Sequence, residues 1–260
     1  MLLTSENYFS IEADKEYMSV SQYKNFKTCE AKALHDLEIP DETYKESFLQ
    51  GSLFEALVAG DPILFKAQHY EDIIAKTGPT KGQIKKEFQK VVNAAEKFNS
   101  QKFFKDIINK CEKQVILTGI VNDVPVKCCL DLFDRETFSI YDIKCMKDFN
   151  EQWSKEDKKY IPWYYAWGYV LQLAVYRLIV KQNFNTEPKE VALLAASKEE
   201  IPDIQALKFD ESLLGLELAE FKNNIKHYDN LKKGLEKPIA CGHCEYCKRI
   251  KEIEKFEEVI

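Results

Sequence analysis

The chain has 260 residues, 45% of them hydrophobic and 12% aromatic, and a formal net charge of −6. That length and apolar content allow a large buried core without disulfide staples, so residues 1–260 are expected to form a single domain. The acidic balance excludes nucleic-acid binding by an overall field and leaves any phosphate contact to a local site.

No apolar run approaches the ~20 residues of a membrane span. The start, MLLTSENYFSIEADKEY, lacks the basic-then-apolar order of a signal peptide, so a cytoplasmic protein without a membrane partner is expected. The chain has eight cysteines; in a reducing compartment, clustered ones read as metal ligands. Cys111, Cys128, Cys129 and Cys145 have no ligand spacing and read as core or near-core residues.

Ser19 followed by Gln22 is a capping-box pattern, and Val20, Tyr23, Phe26, Ala33, Leu34 and Leu37 predict one helix that stops before Pro40, with Cys29 inside it. A second helix is predicted from Ser47 to Ala59, with Glu55 in its middle and Gly60-Asp61-Pro62 as its stop; residues 17–60 thus form a helical N-terminal part. TGPTKG at 77–82 reads as a loop and Gln83–Phe98 as a helix.

The period then changes. QVILTGIVNDVPVKCCLDLFDRETFSIYDIKCM is rich in β-branched and aromatic residues and is punctuated at Asn122-Asp123 and Asp134–Thr137, which predicts three consecutive antiparallel strands. EDKKYIPWYYAWGYVLQLAVYRLIVKQ reads as a long helical run, EVALLAAS as a buried strand and Glu211–Lys233 as the last long helix, ahead of CGHCEYCKR. Strands mixed with helices in this order predict an α/β fold, with a central mixed sheet flanked by helices over a core at 112–200.

Within SIYDIKCM, residues two apart share a face, so Asp142 and Lys144 project together while Ile143 points to the other side. The turn at Arg135-Glu136 can bring Asp131 beside Asp142, since neighbouring strands are ~4.8 Å apart. Two such carboxylates repel unless a cation lies between them; with a third acid they suit Mg²⁺ or Mn²⁺, whose remaining positions accept phosphate oxygens. At the other end of the chain, Cys241, Cys244 and Cys247 have C-x₂-C-x₂-C spacing. Cys29 could complete four thiolates, a count that matches a cubane iron–sulfur cluster (4Fe–4S) or a Zn²⁺ site, for which His243 is another candidate ligand.

Asp131, Asp142 and Lys144, in the order D…D-I-K, resemble the active site of the PD-(D/E)XK (restriction-endonuclease-like) nuclease superfamily. Gln172 and Tyr176 match the Q-x-x-x-Y helix of its RecB-like branch, and Gly51 with Glu55 occupies the place of a G-x-x-x-H motif, glutamate replacing the metal-binding histidine. One N-terminal cysteine plus a C-terminal triplet is similar to the layout of the iron-staple nucleases. It implies a cluster that closes the segment 236–260 on the N-terminal helix.

Taken together with MSVSQYKNFKTCEAKAL, GSLFEAL and AWGYVLQLAVYR, the chain most resembles phage exonucleases of the exodeoxyribonuclease VIII (RecE) type. The resemblance implies end resection of linear duplex DNA in phage-type recombination, in the cytoplasm of a bacterial host. A single-strand annealing protein would be the partner, and a ring-shaped homo-oligomer the assembly. It implies Glu55, Asp131 and Asp142 as ligands of Mg²⁺ or Mn²⁺, with the Ile143 carbonyl as a further ligand and Lys144 as the residue that acts on the attacking water. Gln172 and Tyr176 would hold the DNA strand or order the lysine.

Lys155, Lys158 and Lys159, with Trp153 and Trp163, could track a DNA backbone or stack a base. Two other readings share these features: a CRISPR-adaptation-type exonuclease, and a catalytically silent DNA-binding or assembly module.

Overall fold

The computed structural model describes residues 1–39, 46–60, 62–154 and 158–253. Pro40, Asp61 and Lys155, named above, lie outside them. In chain order the elements are α1 (Ile11–Glu16), α2 (Val20–Thr28), α3 (Glu30–Glu38), α4 (Glu46–Val58), α5 (Pro62–Gln68), α6 (Tyr70–Ile73), α7 (Lys86–Asn99) and α8 (Lys102–Lys110). There follow β1 (Glu112–Val121), β2 (Val124–Asp134), β3 (Ser139–Met146), β4 (Gln152–Ser154), β5 (Lys159–Ile161), α9 (Trp163–Ala166) and α10 (Tyr169–Phe184). β6 (Val191–Ser197), β7 (Ile204–Lys208), α11 (Glu211–Lys232) and α12 (Glu245–Arg249) complete the chain.

Five strands form one sheet in the order β1-β2-β3-β6-β7; β3 pairs parallel with β6, whereas β2–β3 and β6–β7 are antiparallel. The expected mixed sheet flanked by helices is therefore present. Asn122 and Asp123, both at positive φ (48° and 62°), join β1 to β2 in the left-handed pair that a two-residue hairpin needs.

The chain forms two compact units, Met1–Glu42 with Thr118–Cys128 and Ala219–Ile260, and Thr43–Leu117 with Cys129–Leu218. In the second, Leu132, Tyr141 and Ile143 of the sheet pack with Leu49 and Phe54 of α4, Phe88 and Phe98 of α7 and Ile107 of α8. β6 reads as a continuous apolar run because all seven of its residues are buried, and α10 packs on β3 and β6. In the first unit, Tyr23 and Phe26 of α2 pack with Phe221 and Tyr228 of α11.

Two of the predicted helices are divided. Ser19 caps α2 as expected, its Oγ accepting from Gln22 N at 3.2 Å, but Cys29 is not inside a helix. Its backbone is extended (φ −165°, ψ 107°) and separates α2 from α3. Thr28, just before it, turns its hydroxyl back to Lys24 O at 2.8 Å, the kind of local bond that weakens a helix end. The run at 156–182 contains β5, the second strand of the β4–β5 hairpin, and breaks again at Gly168, whose left-handed φ of 65° ends α9 and starts α10. Among the described residues no helix is long and apolar enough to cross a membrane.

Candidate active site and thiol cluster

β2 and β3 keep antiparallel register through Leu132↔Tyr141. One residue further along, the Asp131 carboxylate accepts the Ile143 N–H at 2.9 Å. Asp142 is 1% exposed, and the Lys144 ammonium reaches both acids, 2.6 Å from Asp142 Oδ2 and 3.6 Å from Asp131 Oδ2. The same ammonium donates to the Ile143 carbonyl at 3.1 Å. Two charges inside an apolar strand are thus tolerated because they share one face and offset each other.

The Gln172 amide fixes the other side of Asp142, donating to Oδ1 at 2.7 Å, and it also donates to Tyr176 Oη at 3.1 Å. A spacing of four residues on α10 puts both on the same face, one turn apart. Asp142 Oδ2 is buried, and its close partner is the Lys144 ammonium, an ion pair without the direction of a good hydrogen bond.

Glu55 comes from α4, which packs on β3. Burial, then the charge of Asp131, pushes its carboxyl up to about 7. Burial likewise raises Asp142, with Asp131 adding to the shift against the pull of Lys144. Burial alone would lower the Lys144 ammonium, yet the charges of Asp142 and Asp131 carry it above its ordinary value, so it stays charged.

Sequence reasoning missed two neighbours of this cluster. Tyr169 places its ring 5.4 Å from Lys144 Nζ; it lies three residues before Gln172, a spacing that could have signalled the shared face. Gln114 on β1 has its Nε2 3.4 Å from Asp131 Oδ1, and its Oε1 accepts from Cys129 Sγ at 3.1 Å. Its φ of 53° is left-handed, and nothing in the sequence marks that. Trp163, read above as a DNA contact, is 2% exposed and donates to Gln205 Oε1 at 3.2 Å, so it is a core residue. Trp153 is 55% exposed, and Lys158 and Lys159 are exposed beside it in the hairpin.

In the first unit, Cys29, Cys241, Cys244 and Cys247 converge, their sulfurs all within 4.8 Å of one another. Cys29 Sγ lies 3.5 Å from Cys247 Sγ and 3.8 Å from Cys244 Sγ; Cys241 Sγ lies 3.8 Å from Cys247 Sγ. The break at Cys29 and the start of α12 supply this geometry, since Cys244 is the N-cap whose sulfur accepts the Cys247 N–H at 3.4 Å. Backbone N–H groups of His243 and Cys244 lower the Cys241 thiol to about 6, while burial pushes Cys247 up to about 12. The group can bind a metal ion.

Comparison with known proteins adds the following. A family model described as a PDDEXK-like domain of unknown function (DUF3799) matches residues 19–250. The crystal structure of a candidate exonuclease from Eubacterium rectale is similar with a TM-score of 0.88 and 30% identity, over 99% of this chain and 97% of that one. Another solved structure, SSO0001, aligns with a TM-score of 0.30 and 12% identity over 88% of this chain and 93% of its own, which carries no weight for the fold. No curated protein matches the chain significantly.

Proposed function

The chain belongs to the PDDEXK-like family matched over residues 19–250 and has a PD-(D/E)XK nuclease core, and from that premise we propose that it is a metal-dependent exodeoxyribonuclease acting on the ends of linear duplex DNA. The observation that carries this reading is the buried contact of Lys144 with Asp142 and Asp131, at 2.6 and 3.6 Å. The likeness to a candidate exonuclease over nearly the whole length of both chains supports the exonuclease mode.

The donor set suits Mg²⁺ or Mn²⁺. Glu55, Asp131 and Asp142 offer hard oxygens, the Ile143 carbonyl would be a further ligand, and a cation would relieve the repulsion by which Asp131 adds to burial in pushing the Glu55 carboxyl up to about 7. When bound, such an ion polarises the phosphate and offsets charge on the leaving oxygen. Lys144, held protonated by its two aspartates, acts as a donor: it orients the attacking water and stabilises the charge that builds on the phosphate oxygens. Gln172 keeps the Asp142 carboxylate in place. The water oxygen bonds to phosphorus and gives up a proton to solvent as the bond to the 3′ oxygen breaks and that oxygen takes up a proton, which leaves 5′-phosphorylated nucleotides.

The resemblance to exodeoxyribonuclease VIII extends the proposal to phage-type recombination, with a single-strand annealing protein taking up the exposed strand and a ring-shaped homo-oligomer giving processivity. Digestion of end-labelled linear duplex in Mg²⁺ tests the core of the reading. Label should be released by the wild type and retained with a chelator or with Lys144→Ala. Equal release by Lys144→Ala would overturn it.

For the cysteines we infer a single tetrahedral ion, Zn²⁺, rather than a 4Fe–4S cubane. Four sulfurs each ~2.3 Å from one ion are about 3.8 Å apart; three of the observed separations are 3.5 to 3.8 Å and all are within 4.8 Å. A cubane spreads its cysteines further, because each sulfur binds a different iron. Colourless protein with stoichiometric zinc after anaerobic purification is expected; a brown protein absorbing near ~400 nm, with iron and sulfide, would reverse the inference.

A further inference from the structure

A cavity of about 320 Å³ adjoins the carboxylate cluster, with Glu55, Asp131 and Ile143 in its lining. Its size is at the lower end of the range for small-molecule pockets, ~300–1,000 Å³. The rest of its wall is mixed, with Ser52 and Lys113 as polar groups. Ala56 of α4, Ala59 just past its end and Phe65 of α5 give it an apolar side, and the exposed Gln68 adds an amide.

A hydrated cation or a phosphate gains nothing from methyl groups and a phenyl ring, whereas a nucleobase has an apolar face to lay against them and a polar edge for an amide. Phe65 packs against the core cluster, so its ring is held in place before any ligand arrives. The Gln114 backbone adopts a left-handed φ of 53°, costly for a residue with a Cβ, and its amide lies between Cys129 and Asp131 on the cavity wall. Strain retained at such a place points to function.

We propose that this cavity receives the base of the terminal nucleotide whose phosphodiester is cut, with Phe65 as its stacking face, Gln68 as a sequence-tolerant partner for its edge and Gln114 as the residue positioning Asp131. The proposal rests on the exonuclease reading above and deepens it. A base must leave the duplex stack to enter, and unstacking costs least at an end. The pocket therefore favours terminal over internal phosphodiesters and gives a physical reason for exonuclease mode.

The test uses duplexes carrying the fluorescent base 2-aminopurine at the 5′ terminus, at the 3′ terminus or internally, bound to full-length Lys144→Ala protein in Mg²⁺. Binding is followed separately by anisotropy. One terminal probe should change its emission as it leaves the base stack and the internal probe should not; the change should be lost in Lys144→Ala/Phe65→Leu and kept in Lys144→Ala/Phe65→Tyr, with anisotropy unchanged within about twofold. With Lys144 intact, Phe65→Leu should lower kcat/KM on normal ends about tenfold, the scale of one base–aromatic stack. On ends whose terminal nucleotide is abasic it should have no effect.

Thermal melting of Phe65→Leu and Phe65→Tyr separates a folding defect from a pocket defect, because a folding defect lowers activity on both kinds of end. DNA that is bound and digested with no change in emission at either terminal probe, or a Phe65→Leu loss equal on normal and abasic ends, overturns the pocket and leaves the nuclease standing. Failure of the wild type to digest any duplex overturns both.

Discussion

The carboxylate site and the thiol cluster both gather groups that repel one another once ionised, but they manage the repulsion differently. At the first, the compensating charge is covalently built in: Lys144 sits two residues from Asp142 on the same strand and lies within 4 Å of both aspartates. At the second, four sulfurs from opposite ends of the chain lie within 4.8 Å of one another, and those of Cys241 and Cys244 receive backbone N–H groups. Four thiols at that spacing cannot all ionise unless a cation joins them. The carboxylate site can therefore fold with its own cation, whereas the thiols, to ionise together, would need an ion from outside.

The largest expected effect breaks the built-in compensation. Lys144→Ala should slow digestion on the order of 10²–10³-fold, the usual cost of removing one preorganised donor. It should also lower stability by about 3 kcal/mol, because Asp142 is left buried and unpaired. All three tryptophans lie in the unit that holds this site, so melting followed by tryptophan fluorescence reports on it directly. A chelator that strips zinc should leave that signal much less changed than Lys144→Ala does.

Cys247→Ser makes the converse break. It should abolish metal stoichiometry and lower the calorimetric melting temperature by at least about 5 °C, since a structural ion contributes folding energy outright. A chelator should lower the wild type equally and the variant not at all. If the variant keeps its metal, the thiol cluster is not the ligand set and the contrast between the two sites fails.

A smaller effect sharpens the contrast within the carboxylate site. Gln172→Ala removes the 2.7 Å hydrogen bond to Asp142 but no charge. The loss of a bond to a charged group, about 1.5–3 kcal/mol, corresponds to about 10- to 150-fold if all of it appears in the rate. It should fall on kcat with KM nearly unchanged, in single-turnover and steady-state assays. A change in KM alone would make Gln172 a DNA-holding residue instead of one that orients an acid.

How much of this was legible in the sequence depended on the range of the interactions. The shared face of Asp142 and Lys144 follows from the two-residue period of a strand, and that of Gln172 and Tyr176 from the helical turn; both are local and both are present. Ser19 capped its helix as its pattern implied. Cys29 was misplaced inside a helix because the reason for its extended backbone lies more than 200 residues away, at Cys244 and Cys247. The break at Gly168 had a local mark, a glycine within an apolar run, but the strength of the hydrophobic pattern masked it. β7 and the β4–β5 hairpin are short strands of 5 and 3 residues, too brief for periodicity to register. Gln114 reaches Asp131 across the sheet from a backbone conformation that no neighbouring residue predicts.

The smallest effect concerns pH and separates the two regions again. In the thiol-bearing unit, His227 Nε2 lies 2.9 Å from Glu30, next to Cys29, and Nδ1 faces Glu236. Both ring nitrogens can donate only when the imidazole is protonated. The hydrogen bond to Glu30 is the main cause that raises its pKa above the ordinary value, with Glu236 adding to it against burial. A raised pKa means that this contribution is complete below the unfolded value, near ~6.5, and fades as pH rises through the folded one. The ring is about one-third exposed, so solvent screening holds the contribution to about 1 kcal/mol or less. The difference in melting temperature between wild type and His227→Gln should therefore be widest near pH 5.5 and close by about pH 8.5. Tryptophan fluorescence, which reports on the other unit, should show no such pH-dependent gap; a gap that widened toward alkaline pH would mean that the neutral imidazole is the form the fold selects.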